Sequence, residues 1–189
     1  MDTAEALNQQ AIAAYGAGSP KEAVRLWQQA SALTPERVDI LTYLGSALKG
    51  LDEPGAAAAH YEQALQLQPE QPQVLYNLGN IRQQLGQLQE AALCYRNVLK
   101  LEPGFALAAY NLGNVCRDLG HLHEAGECYR HAIQCDPNHA ASHNNLGNTL
   151  KHAGKLDEAI ACYEQALRCH GDYPDALYNL GNALYESED

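Results

Sequence analysis

Apolar residues recur along this chain at helical spacing, broken by small residues at fixed places. Leu41, Leu44 and Leu48 lie three or four apart with Gly45 among them, which marks one face of an amphipathic helix. Ala57, Tyr61 and Ala64 repeat the spacing a little further on, and Pro69 closes the stretch. The pattern predicts two amphipathic helices joined by a tight turn. Gly18, Gly86, Gly120 and Gly154 fall at such turns, where glycine adopts a left-handed conformation at little cost. Pro20 and Pro54 sit just beyond, at the first turn of a second helix that can spare the N–H.

The same pair then returns at a constant interval of 34 residues. Gly45, Gly79, Gly113, Gly147 and Gly181 keep that step, as do Ala23, Ala57, Ala91, Ala125 and Ala159. So do Trp27, Tyr61, Tyr95, Tyr129 and Tyr163, and Pro35, Pro69, Pro103 and Pro137. The glycine and the small alanine let two backbones approach, and the aromatic four residues beyond the alanine is expected to fill the gap to the neighbouring unit. One unit alone cannot bury its apolar faces, so units must stack into a shared core.

This spacing resembles the tetratricopeptide repeat, whose pattern runs bulky-x2-Leu-Gly-x2-bulky, then Ala-x3-aromatic, then Pro. The resemblance divides the chain into repeats 4–37, 38–71, 72–105, 106–139 and 140–173, with a partial repeat, first helix only, over 174–187. It implies an all-α fold, a right-handed solenoid of antiparallel helix pairs forming a single domain, with the first helices lining a concave surface. The family's tryptophan is replaced by Leu7, Leu41, Leu75, Ala109, His143 and Leu177, and Gln10-Ala11 stands where Leu-Gly is expected. Met1 to Thr3 and the altered first unit form a modest cap on this reading. The last helix has no following helix to cover Leu177, Leu180 and Leu184. It is cut from a longer array, packs on another copy as a self-association surface, or tolerates solvent. The acidic tail Glu186-Ser187-Glu188-Asp189 is read as solvated.

The block YNLGN occurs at Tyr76, Tyr110 and Tyr178, with NNLGN at Asn144. Its two asparagines are three apart and share a helix face: Asn77 with Asn80, Asn111 with Asn114, Asn145 with Asn148, and Asn179 with Asn182. A carboxamide offers an acceptor and two donors, which match a peptide bond, so such ladders can hold backbone without reading side chains. Alternatively they hydrogen-bond a neighbouring helix. By register with the family, Asn77, Asn111, Asn145 and Asn179 are the better candidates for ligand contact. The blocks are most similar to the repeat domain of protein O-linked N-acetylglucosamine transferases. Tyr76, Tyr110, Tyr178, Arg117 and Lys151 join the candidate groove by the same register, with Lys49, Gln83, Asp118, Asn144 and His152 beside them. The lysines with which chaperone-binding members grip a C-terminal carboxylate are absent: the matching places hold Asn8, Thr42, Tyr76, Tyr110, Asn144 and Tyr178, and Glu5, Asp39, Gln73, Leu107, Ala141 and Asp175.

A formal charge of -11 and an isoelectric point near 5.1 argue against nucleic acid or an anionic membrane, which are held by clustered Lys and Arg. No apolar run approaches the roughly 20 residues of a membrane span, and MDTAEALNQQ resembles no secretory leader. Six cysteines lack any CxxC and mostly follow the repeat, which fits packing in a reduced, cytoplasmic setting. The histidines at 121, 123, 131, 139 and 143 fall at turns and entrances, without the paired short spacing of a zinc site. No nucleophile-base set, Walker lysine or dinucleotide glycine pattern stands out. The expectation is a non-enzymatic protein-interaction module without cofactor or metal, binding an extended peptide or protein segment. Its rivals are the substrate-recruiting part of a larger enzyme such as a glycosyltransferase, and a self-associating scaffold with homo-oligomer contacts through the last helix.

Overall fold

A computed structural model of the chain describes residues 3–187, and every regular element among them is an α-helix. The helices are α1 (Thr3–Gly16), α2 (Pro20–Leu33), α3 (Val38–Gly50), α4 (Pro54–Leu67), α5 (Pro72–Gln84), α6 (Leu88–Leu101), α7 (Ala106–Asp118), α8 (Leu122–Cys135), α9 (Ala140–His152), α10 (Leu156–Cys169) and α11 (Pro174–Ser187). The expected cap at Met1 and Asp2, and the end of the acidic tail at Glu188 and Asp189, lie outside the described residues.

The helices gather into two compact units, the first ending at Leu101 and the second starting at Glu102. In the first, α1 pairs with α2, α3 with α4 and α5 with α6, and the pairs are joined through α2 against α3 and α4 against α5. In the second, α7 pairs with α8 and α9 with α10, α8 lies against α9, and α11 closes on α10 and α9. Adjacent-pair packing of this kind is the all-α arrangement that the periodicity predicts.

Each turn inside a pair ends its first helix in the same way. Gly18, Gly86, Gly120 and Gly154 have φ of 77, 72, 80 and 74°, and Asp52 takes the equivalent place at 60°. Asp is among the few residues with a side chain that visit this region readily. The next N–H reaches back five residues: Ser19 to the Ala14 carbonyl at 2.9 Å, Glu53 to Leu48 at 3.0 Å, Gln87 to Arg82 at 2.8 Å, His121 to Cys116 at 2.8 Å and Lys155 to Leu150 at 3.0 Å. These are Schellman closures, which satisfy carbonyls that the helix end would otherwise leave open.

The glycine of each first helix has a different task. A Cβ built on Gly45, Gly79, Gly113 or Gly147 would lie 2.7, 2.7, 2.6 or 2.5 Å from the ring of Tyr61, Tyr95, Tyr129 or Tyr163. The aromatic thus has a role inside its own pair that the sequence did not suggest. It lies flat on the glycine of its own pair, because only a missing side chain lets the ring come so close. All four rings are fully buried, beside Ala57, Ala91, Ala125 and Ala159. Each ring takes on the order of 150–250 Å² out of water.

The first pair solves the same problem differently. Ala11 replaces the glycine and is fully buried, while Trp27 replaces the tyrosine, stacks on Tyr43 with centroids 5.4 Å apart, and donates its indole N–H to Asn8 Oδ1 at 2.9 Å. In α11, Gly181 has no atom within 4 Å of its built Cβ.

Two alanine substitutions separate the steric role from the conformational one. Gly113→Ala should lose about 1–3 kcal/mol by overpacking against Tyr129, whereas Gly181→Ala should be neutral or gain up to about 1 kcal/mol of helix propensity. Urea unfolding followed by circular dichroism measures both, and equal effects at the two positions would refute the ring-on-glycine account.

Candidate functional site

Pinning a tyrosine ring on a glycine puts its hydroxyl beside the next residue of the first helix. Tyr95 donates to Asn80 Oδ1 at 2.7 Å, Tyr129 to Asn114 Oδ1 at 2.9 Å and Tyr163 to Asn148 Oδ1 at 2.9 Å. In the second repeat Ser46 stands at this place, 3.0 Å from the Tyr61 hydroxyl. In these three blocks the second asparagine thus gives its carbonyl to a buried phenol, and Tyr95 also reaches Gln83 Oε1 at 3.0 Å. Burial pushes the phenol of Tyr163 up to about 12 and those of Tyr61 and Tyr129 in the same direction, so these hydroxyls act as donors at neutral pH.

In the second unit the first asparagines extend this into a directed chain. Asn179 Nδ2 donates to Asn144 Oδ1 at 2.9 Å, Asn144 Nδ2 to Asn145 Oδ1 at 3.3 Å, and Asn145 Nδ2 to Asn114 Oδ1 at 2.9 Å. Asn114 therefore accepts twice, from Tyr129 and from Asn145. Asn144 and Asn145 are only 4% and 9% exposed, and both side chains are engaged with other carboxamides. Such a chain ties α7, α9 and α11 together through side chains whose donors and acceptors all run one way.

The remaining candidates are placed unequally. Asn77 is half-buried, and its Oδ1 accepts only a long bond, 3.5 Å from Gln73 Nε2. It lines an open cavity of about 330 Å³ with Tyr15, Ser46, Lys49, Gly50 and Tyr61. Asn111 and Asn182 are half-buried. Tyr76 leans on Tyr95 with centroids 6.0 Å apart, and Tyr110 on Tyr129 at 6.1 Å, with His139 edge-on at 4.8 Å. Tyr178 is 72% exposed. Arg117 pairs with Asp118 at 2.9 Å, and Lys151 with Glu186 at 2.7 Å. Of the apolar residues of α11, Leu177 and Leu184 are exposed and Leu180 is half-buried.

Three family models match successive stretches of the chain: a TPR repeat over residues 55–86 and a tetratricopeptide repeat over 72–105 and again over 105–170. The chain carries tetratricopeptide repeats. Solved structures share the fold of these tetratricopeptide repeats at low identity. One crystal structure of the MamA protein superposes with a TM-score of 0.86 and 22% identity, over 90% of this chain and 93% of its own. YrrB, described as a TPR protein with an unusual peptide-binding site, gives 0.82 and 20% over 91% and 89%. PilF of Pseudomonas aeruginosa gives 0.81 and 19% over 100% and 86%. No curated protein sequence matches the chain.

Within these repeats no disulfide joins any of the six cysteines. Cys94 and Cys116 are buried, and burial pushes the Cys94 thiol up. Cys135 and Cys169 point their thiols at the carbonyls of Pro103 and Pro137, at 3.5 and 3.7 Å, one repeat earlier. No group of three or more His, Cys, Asp or Glu among the described residues is placed to hold a metal, and no helix there is long and apolar enough to cross a membrane. The phenol's need for a partner was the signal that distinguishes the two asparagines: Asn80, Asn114 and Asn148 follow a glycine that carries a tyrosine ring.

Asn114→Ala should leave the Tyr129 hydroxyl and the Asn145 amide without their acceptor and cost about 1–3 kcal/mol. Asn182→Ala should stay within about 0.5 kcal/mol. Chemical denaturation of the two variants against wild type is the check, and a silent Asn114→Ala would remove the hydrogen-bond chain from the stability of the unit.

Proposed function

We propose that this tetratricopeptide repeat chain is a non-enzymatic interaction module that holds an extended segment of another protein against the first helices of its repeats. The observation that carries the reading is Asn77, whose carboxamide opens on a cavity beside Lys49 and Ser46 while its own partner is distant. An amide in that position offers both halves of a peptide-bond pairing at little desolvation cost. Within the second unit, Asn111, Asn179 and the exposed ring of Tyr178 are that unit's own candidates for such contact, and in each unit the second asparagines fix the helices, Asn80 in the first and Asn114 and Asn148 in the second, with Asn145. Helices packed about 10 Å apart would meet an extended peptide at roughly every third residue. YrrB, a TPR protein with an unusual peptide-binding site, agrees with this class of function. A recruiting role within a larger glycosyltransferase is the same reading with the peptide as acceptor, supported by the likeness of the NLGN blocks. A cytoplasmic setting is the part of this reading that cysteines not joined in disulfides support.

Peptides selected from a displayed random library against the wild-type chain provide the test. Their affinity should fall tenfold or more in Asn77→Ala while the melting temperature stays within a degree or two. Undiminished binding to that variant would overturn the assignment.

A second reading, self-association, is favoured by one feature of α11. Leu177, Tyr178, Gly181, Leu184 and Tyr185 form one exposed stripe with no ring seated on Gly181. Light scattering over a concentration range should then show an oligomer that Leu184→Asp dissociates; a monomer at every concentration would exclude it.

A further inference from the structure

The face of α9 turned away from its asparagines carries Leu146, Thr149 and Leu150, and Ala153 continues the stripe just beyond the helix end. With α8 it encloses a cavity of about 270 Å³, floored by Leu122, Leu146 and Leu150. The cavity exists because α8 has Gly126 where the other second helices have Val24, Ala58, Ala92 and Ile160. Unlike Gly45 or Gly113, this glycine is not required for packing. A Cβ there would find Thr149 Cγ2 at 3.5 Å and an Arg130 guanidinium nitrogen at 3.6 Å, both ordinary contacts. It is not at a turn either, so a residue that weakens a helix interior is placed where its structural effect is to open space.

An unpaired cation stands at this space in an acidic chain. Every ionisable side chain lining the cavity is a base, namely His123, Arg130, His152 and Lys155, in a protein of formal charge -11. Nearby acids are spent on the rim: Glu158 on Lys155 at 3.1 Å and Glu127 beside His123 at 3.9 Å. Arg130 has neither an ion pair nor a hydrogen bond among the described residues, and its guanidinium stands at the cavity wall. Beyond it a second cavity, of about 370 Å³, lies between α8 and α10, with Ile133, Ala161 and Cys162 in its lining and no carboxylate. The two cavities share Arg130 and Leu146. On α8 they centre near residues 126 and 133, about 10 Å apart at 1.5 Å per residue.

We infer that this face of α8, α9 and α10 is a second docking site, distinct from the asparagine face, for an acidic amphipathic helix of a partner protein. Two apolar pockets about 10 Å apart with a cation between them match residues i and i+7 of a helix, which lie on one stripe, with a carboxylate at i+3 or i+4 between them. An extended segment spanning the same distance would turn its two anchors to opposite sides. Arg130 meets the carboxylate and, as the cation without an ion pair at this site, selects against a basic partner.

The probe is a fluorescein-labelled 15-residue helical peptide with leucine at i and i+7 and glutamate at i+3 and i+4 on an alanine and glutamine background, titrated into the whole chain by fluorescence anisotropy. Saturable binding is expected, weakened at least tenfold when the glutamates become lysines. Gly126→Ile, which fills the first cavity with the residue that the array already accepts at position 160, and Arg130→Gln should each weaken it at least tenfold without lowering the melting temperature. Backbone amide shifts at Gly126, Leu150 and Ala161 should move with the peptide. Absence of saturable binding, equal affinity for the lysine peptide, or full affinity in Gly126→Ile would overturn the proposal. Saturation by hexanoate with no response to the peptide would overturn it in favour of a small carboxylate site.

Discussion

The structure depends on a tyrosine ring lying on a glycine. At four successive pairs the approach is closer than any side chain would permit, so the identity of the glycine and the position of the ring are one steric condition. Meeting it brings two helices to a fixed separation and angle, because the ring is flat and the surface beneath it is bare backbone. Meeting it every 34 residues makes each pair a copy of the last. The stability of the array then follows from pairs and their neighbours.

The same contact creates a polar demand in the core. A phenol that is buried to seat its ring still carries an O–H, and leaving that group unpaired costs more than pairing it returns. Asn80, Asn114 and Asn148 meet the demand, and Ser46 does so in the second repeat. In the second unit Asn145, Asn144 and Asn179 continue from that point, so a motif that reads as a ligand ladder is in large part an internal one. Asn77 differs because Ser46, one repeat earlier, is too short to reach it as Asn114 reaches Asn145. Substituting one hydroxyl for one carboxamide leaves the cavity beside Asn77 open.

Departures from the repeat are where separate chemistry collects. Trp27 over Ala11 rebuilds the first pair with an indole that needs Asn8. Gly126 opens a cavity in a register that elsewhere holds a side chain, and an unpaired cation stands at it in an acidic chain. Regular positions keep the fold; irregular ones give it surfaces that neighbouring repeats lack.

The spacing of Gly, Ala, aromatic and Pro determined by itself that the chain is a series of helix pairs, where the turns fall and that Gly18, Gly86, Gly120 and Gly154 take positive φ, though not that Asp52 does, since those features follow from local sterics and a fixed period. It also placed each pair of asparagines on one helix face. What it could not show was that the second asparagine is engaged by a buried phenol, because both asparagines lie on one helix face and are the same residue. That was decided by a tyrosine 15 residues away in sequence, whose hydroxyl arrives only when two helices have packed, and by the reach of the residue facing it one repeat before. The cavity at Gly126 was hidden for the same reason: a glycine in a helix reads as a weakness until neighbouring helices show whether the space above it is filled.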